Sequence, residues 1–104
     1  FDAVVAGHRW PGGVEIRDME MLKGIGHLAD DETVTVPVIR NHQDMTVEAG
    51  WFDEVYRPAT AEVPEVPALI VANHGMYAWG SDVAAARRHL EITEWLLRFA
   101  VATR

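Results

Sequence analysis

His74 is the strongest candidate for a functional side chain in this sequence, because its neighbours predict a rigid setting for its imidazole. It stands between Asn73 and Gly75, two residue types that tolerate positive φ and so let the chain bend sharply. The apolar segments on either side, Pro67–Ala72 and Met76–Trp79, are predicted as strands. An imidazole held at a corner between two rigid strands has a fixed direction, which a metal ligand requires. A turn histidine without any function has the same spacing, and spacing alone favours that interpretation.

The other candidate groups offer no second metal ligand by their spacing. The remaining histidines are scattered without an H-x-H or H-x-x-x-H pattern, and His42 is interpreted as a loop residue. The carboxylates at positions 30–32 suggest a cation site, but such a run is usually a solvated loop. Glu20 and Lys23 are three residues apart and in isolation form a surface ion pair of little energetic value. No P-loop, serine elbow or C-x-x-C motif is present, so the residues alone support only a soluble α/β domain.

Length and composition exclude several classes of protein. A chain of 104 residues is one domain or less, and its 49% apolar content indicates a folded, globular protein. The formal net charge of −7 argues against nucleic-acid and anionic-membrane partners, whose phosphates would be repelled. The absence of cysteine rules out disulfides and thiolate metal sites. No apolar run approaches the roughly 20 residues of a membrane span, so we expect a cytoplasmic protein.

Hydrophobic periodicity and turn residues predict alternating strands and helices. The predicted elements are a helix ending at Gly7, a strand at 14–16, a helix at 18–24 capped by Asp18, a strand at 33–39, a helix at 45–56, the two strands around His74 and a final helix. Ser81 is the predicted N-cap of that final helix. Its last turns are apolar on most sides, with Trp95 among them, which indicates a core helix or a subunit contact.

Four stretches of the sequence resemble one known family. Asn73–Gly80 and Ala86–Glu91 resemble the C-terminal signature of the class II aldolase/adducin family, most closely its zinc-dependent methylthioribulose-1-phosphate dehydratases. Asp18–Ile25 and Val36–Asn41 agree in the same order, so the resemblance covers nearly the whole chain. It implies a three-layer α/β/α sandwich with a mostly antiparallel central sheet, assembled as a homotetramer with sites between subunits. Residues 1–104 would form the C-terminal portion of one such domain.

The resemblance also implies roles for three residues. Family members run to about twice this length, and their first half carries a His-x-His pair that supplies two zinc ligands. By alignment that pair falls a few residues before Phe1, and this sequence lacks it. His74 matches another zinc ligand, and Glu20 matches the proposed catalytic acid/base of the dehydratases. Lys23 is a weaker candidate for binding the substrate, because a cation close to a phosphorylated substrate is useful.

The implied activity is the zinc-dependent dehydration of methylthioribulose 1-phosphate to 2,3-diketo-5-methylthiopentyl 1-phosphate in methionine salvage. Zinc would polarise the ketone of the substrate, while Glu20 would help the C4 hydroxyl to leave as water. Two alternatives stay open. A class II sugar-phosphate aldolase would share His74 and the fold, although in those aldolases the catalytic glutamate precedes the His-x-His pair. A catalytically incomplete, adducin-like or truncated module would be structural only.

Overall fold

A computed structural model describes residues 2–17, 20–25, 33–60 and 64–104 of the chain, without the side chains of Glu20, Met21 and Lys23. Its elements are α1 (Asp2–Arg9), β1 (Val14–Arg17), a 3₁₀ helix (Glu20–Ile25), β2 (Thr33–Val36), β3 (Val38–Ile39), α2 (Met45–Val55), β4 (Ala68–Val71), β5 (Gly75–Ala78) and α3 (Val83–Thr103). The fold is therefore mixed α/β, as the sequence predicts.

The described strands form two small sheets. β1 pairs with β2 in antiparallel register, with Val14 opposite Val36. In the second sheet β4 lies between β3 and β5, parallel to β3 and antiparallel to β5. Val14 and Val36 are fully buried while their neighbours Glu15 and Thr35 are exposed, because side chains alternate between the two faces of a strand.

The sequence predicts a strand over residues 33–39 that Pro37 places at a sheet edge or ends early, and the structure shows the early end. β2 ends at Val36 in the first sheet, and β3 begins at Val38 in the second. Proline has no N–H to donate to a strand ladder, but its carbonyl can still accept. The Pro37 carbonyl accepts a hydrogen bond from the N–H of Ile70 at 2.9 Å. The chain therefore leaves the first sheet at Val36 and enters the second at Val38, with Pro37 as the connecting residue.

β4 is the central strand of the fold, and all four of its residues are buried. Ile70 packs in one apolar cluster with residues of α1 and α3, whereas Leu69 and Val71 pack in another with residues of α2. Alternate residues of a strand point to opposite faces, so helices cover both faces of this sheet. That burial explains why the segment has a continuous apolar sequence.

Three predicted helix boundaries differ from the structure. α1 continues past Gly7 to Arg9, and a Cβ on Gly7 would lie 2.8 Å from Cγ2 of Ile70. That glycine therefore serves close packing and does not end the helix. The segment at 20–25 is a 3₁₀ helix, and its predicted cap Asp18 lies outside the described residues. α3 is capped by Asp82, whose Oδ1 accepts the N–H of Ala85 at 2.7 Å, and not by Ser81.

The apolar last turns of α3 are only partly in the core. Leu96 and Leu97 are fully buried, while Trp95 and Phe99 are 41% and 44% exposed. The two aromatic rings stack on each other with centroids 5.9 Å apart. The core interpretation is therefore wrong for this aromatic pair, and a subunit contact on this face stays a prediction.

Candidate functional site

His74 lies in the tight turn between β4 and β5, as the sequence predicts. Asn73 has a φ of 60°, and the N–H of His74 donates to the carbonyl of Val71 at 3.0 Å. Asparagine tolerates this left-handed conformation better than most residues, which explains its place in the turn. The backbone of His74 is therefore fixed by the hairpin, while its side chain is exposed.

The His74 imidazole lies beside an aromatic ring. The Tyr77 ring lies nearly parallel to it, with an interplanar angle of 23° and centroids 6.1 Å apart. Tyr77 follows on β5 and is itself 51% exposed. The described residues make no hydrogen bond to the imidazole, so its ring nitrogens face no protein competitor there. An exposed imidazole on a fixed turn fits the chemistry of a zinc ligand.

A cavity of about 430 Å³ lies beside His74. We call it the His74 cavity; it is bordered by α1, the β4–β5 hairpin and α3. Its lining residues are Ala3, Val4, His74, Gly75, Met76, Leu90, Glu91 and Glu94. Its volume lies within the range of small-molecule sites in proteins. The hairpin, α1 and α3 thus place the predicted metal ligand next to a space that a small molecule can occupy.

Carboxylates dominate the charge of the His74 cavity. Glu91 pairs with Arg87, the two side chains being 3.1 Å apart. Burial raises the pKa of Glu94 above its ordinary value, and the hydrogen bond that it shares with Asp2 raises it further. Asp2 in turn lies 3.3 Å from Arg98. None of the described lining residues is a lysine or arginine, so this cavity suits uncharged or cationic groups better than a phosphate.

The 3₁₀ helix that begins at Glu20 packs on another face of α3. Leu22 and Ile25 are buried, and a Cβ on Gly24 would clash with the side chain of Ile92. On an α-helix residue 92 lies about 160° around the axis from residues 90 and 94, so Gly24 packs on a side of α3 that faces away from the His74 cavity. Glu20 and Lys23 lie in this 3₁₀ helix, and their side chains are outside the described residues. Their roles, and a site that unites Glu20 with His74, stay predictions.

The described residues do not form a complete metal site. Within 2–17, 20–25, 33–60 and 64–104, no three His, Cys, Asp or Glu side chains converge on one point. A catalytic zinc takes about three protein ligands and keeps one position open, and His74 fits as one of them. His42 serves a structural purpose, because its Nδ1 accepts the N–H of Asp44 at 2.9 Å. The carboxylates at 30–32 lie outside the described residues.

Comparison with known proteins identifies the family. Residues 14–101 match the family model described as the class II aldolase and adducin N-terminal domain. The chain belongs to the class II aldolase and adducin family. The resemblance of the His74 hairpin and α3 to this family is thereby confirmed.

Curated relatives within the class II aldolase and adducin family cover most of the chain. A methylthioribulose-1-phosphate dehydratase of Persephonella marina is 38% identical over 89 residues, which are 85% of this chain and 38% of the relative. Enzymes of the same name from Microcystis aeruginosa and Xanthomonas oryzae pv. oryzae are 34% and 38% identical, over 81% and 82% of this chain. These two matches cover 40% and 36% of the lengths of those relatives. The chain thus spans less than half the length of the relatives that it matches.

Within the segment that resembles the family, the structure shows a contact between His89 and Trp79 that the sequence did not predict. His89 is interpreted from the sequence as a surface residue, but it is partly buried and its Nδ1 lies 2.7 Å from the carbonyl of Trp79. This contact joins α3 to the end of β5 and so supports the hairpin that carries His74. No periodic signal connects residues 79 and 89, so only the fold could reveal it. None of the described helices is both long and apolar enough to cross a membrane.

Proposed function

We propose that the protein is a zinc-dependent dehydratase that converts methylthioribulose 1-phosphate into 2,3-diketo-5-methylthiopentyl 1-phosphate in methionine salvage. The observation that carries this proposal is the 38% identity to a methylthioribulose-1-phosphate dehydratase over 85% of the chain. A match that covers 85% of a 104-residue chain spans positions 20 and 74 wherever it begins.

Each predicted site residue has a defined task in this reaction. His74 contributes one ligand, held in direction by the hairpin, and the upstream His-x-His pair of the family contributes two more. Zinc bound there would polarise the substrate ketone. Glu20 carries protons between the substrate carbons and the departing C4 hydroxyl, which leaves as water. Lys23 is assigned to the phosphate end of the substrate, because an ammonium group attracts a phosphate.

The wider assembly is part of the same proposal. We assign the complete domain to a three-layer α/β/α sandwich with a mostly antiparallel sheet, of which residues 1–104 form the C-terminal portion. Helices on both faces of the β3–β4–β5 sheet support this assignment. A cytoplasmic homotetramer is proposed with it. The exposed Trp95 and Phe99 pair supports a contact between protomers, since exposed aromatic patches often mark interfaces.

A class II sugar-phosphate aldolase is the second candidate, since the matching family model is described by that activity. The two are separated by their products. The protein expressed from its complete gene is incubated with methylthioribulose 1-phosphate, fuculose 1-phosphate and rhamnulose 1-phosphate, and the products are followed by mass spectrometry. We expect loss of one water from methylthioribulose 1-phosphate without carbon–carbon cleavage. Cleavage of either sugar phosphate would favour the aldolase, and inactivity on all three would favour an adducin-like structural module.

A further inference from the structure

One wall of the His74 cavity is apolar although it is open to solvent. Val4 from α1, Met76 from β5 and Leu90 from α3 all line it, and Leu90 is 41% exposed. Each comes from a different element, so the fold itself gathers them beside the predicted zinc ligand. A large apolar side chain that is left exposed beside a concave site is suited to an apolar part of a ligand.

Carboxylates beside Leu90 disfavour a phosphate in the His74 cavity. Glu91 and Glu94 also line the cavity from α3, and the described lining contains no lysine or arginine that could neutralise a phosphate. Two arginines of α3 are engaged with carboxylates, Arg87 with Glu91 and Arg98 with Asp2. A phosphate placed here would face carboxylate oxygens without a matching donor. The charged end of a sugar-phosphate substrate therefore binds elsewhere.

We propose that the His74 cavity binds the methylthio end of the substrate and that Leu90 and Met76 determine specificity for it. This inference rests on the proposed function, which supplies a substrate with a phosphate at one end and an apolar sulfur group at the other. The reacting ketone and hydroxyl carbons lie between these ends, next to His74. Met76 suits the occupant, because a thioether is polarizable and adapts to irregular apolar contacts.

The test compares two substrates that differ only at this end, methylthioribulose 1-phosphate and 5-deoxyribulose 1-phosphate, in the protein expressed from its complete gene. Leu90→Asp places a charge on the apolar wall, and Leu90→Ala removes only contact area. Val83→Asp is the control, since Val83 is also exposed on the same helix but lies outside the His74 cavity. Each variant is scored by kcat/KM on both substrates.

We expect Leu90→Asp to lower kcat/KM for the methylthio substrate by about 10- to 100-fold, the scale of losing one or two apolar groups from a specificity pocket. Leu90→Ala should cause a smaller loss in the same direction. Neither variant should change kcat/KM for the deoxy analogue, and Val83→Asp should change neither value. Equal losses on both substrates, or no loss on the methylthio substrate, would overturn the inference. If the wild-type protein converts neither substrate, the proposed function itself fails and the inference with it.

Discussion

Replacing Glu20 by glutamine should lower kcat for methylthioribulose 1-phosphate by about 10²- to 10⁴-fold, the usual contribution of a general acid/base. Glutamine keeps the size and polarity of the side chain but cannot exchange a proton. Proton transfer to the departing hydroxyl is then lost, while the zinc ligands are untouched. The measurement is steady-state kinetics together with zinc content, in the protein expressed from its complete gene. We expect zinc content to be unchanged.

Glu15→Gln is the matched control for this prediction. Glu15 is five residues earlier on β1, where its exposed carboxylate lies 3.3 Å from Arg17. An exposed ion pair of this kind contributes little to stability, so kcat should stay at the wild-type value. If Glu20→Gln and Glu15→Gln behave alike, Glu20 is not the catalytic acid/base. A Glu20→Gln variant that loses its zinc would indicate a structural or ligand role instead.

Gly80→Ala should destabilise the protein by about 3 kcal/mol, at the upper end of overpacking costs. A Cβ at this position would lie 2.7 Å from the backbone N of Ala86 and 2.8 Å from the Cβ of Ala85. Both atoms belong to the first turn of α3, which cannot move without disturbing the cap at Asp82. Gly80 therefore lets the chain leave the His74 hairpin and pass against α3. Urea denaturation gives the free energy of unfolding.

Gly50→Ala should instead raise the free energy of unfolding, measured in the same way. Gly50 lies inside α2, is exposed, and has no atom within 4 Å of an added Cβ. Alanine should stabilise this helix by about 0.5–1 kcal/mol, because glycine loses more backbone entropy on folding. If both substitutions stabilise the protein, the close approach of Gly80 to α3 is not a constraint on the fold.

Local signals predicted the hairpin that carries the candidate site. A short apolar run, an Asn-His-Gly turn and a second short run specify two strands and a bend without reference to distant residues. The structure confirms this arrangement with β4, the turn and β5. The helix from about residue 45 was predicted for the same reason, since its apolar spacing is local, and the structure adds Asp44 as its N-cap.

Contacts between distant residues explain what the sequence could not predict. Gly7 resembles a helix stop, but its reason is the approach of α1 to Ile70 on β4. Pro37 indicates that the strand predicted at 33–39 ends early, but only the two sheets show that the chain continues as a second strand in another sheet. The cavity beside His74 likewise comes from three elements that are far apart in the chain. Contacts between such distant elements leave no periodic pattern in the sequence.

The most direct test of the account is the zinc content of the protein expressed from its complete gene, measured by mass spectrometry of the metal for the wild-type protein and two histidine variants. We expect about one zinc ion per protomer in the wild-type protein, loss of that zinc in His74→Ala, and its retention in His42→Ala. The His42 imidazole accepts a local hydrogen bond from Asp44 and contacts the Trp51 ring edge-on. Full zinc content in His74→Ala, at the affinity of the wild-type protein, would contradict the account.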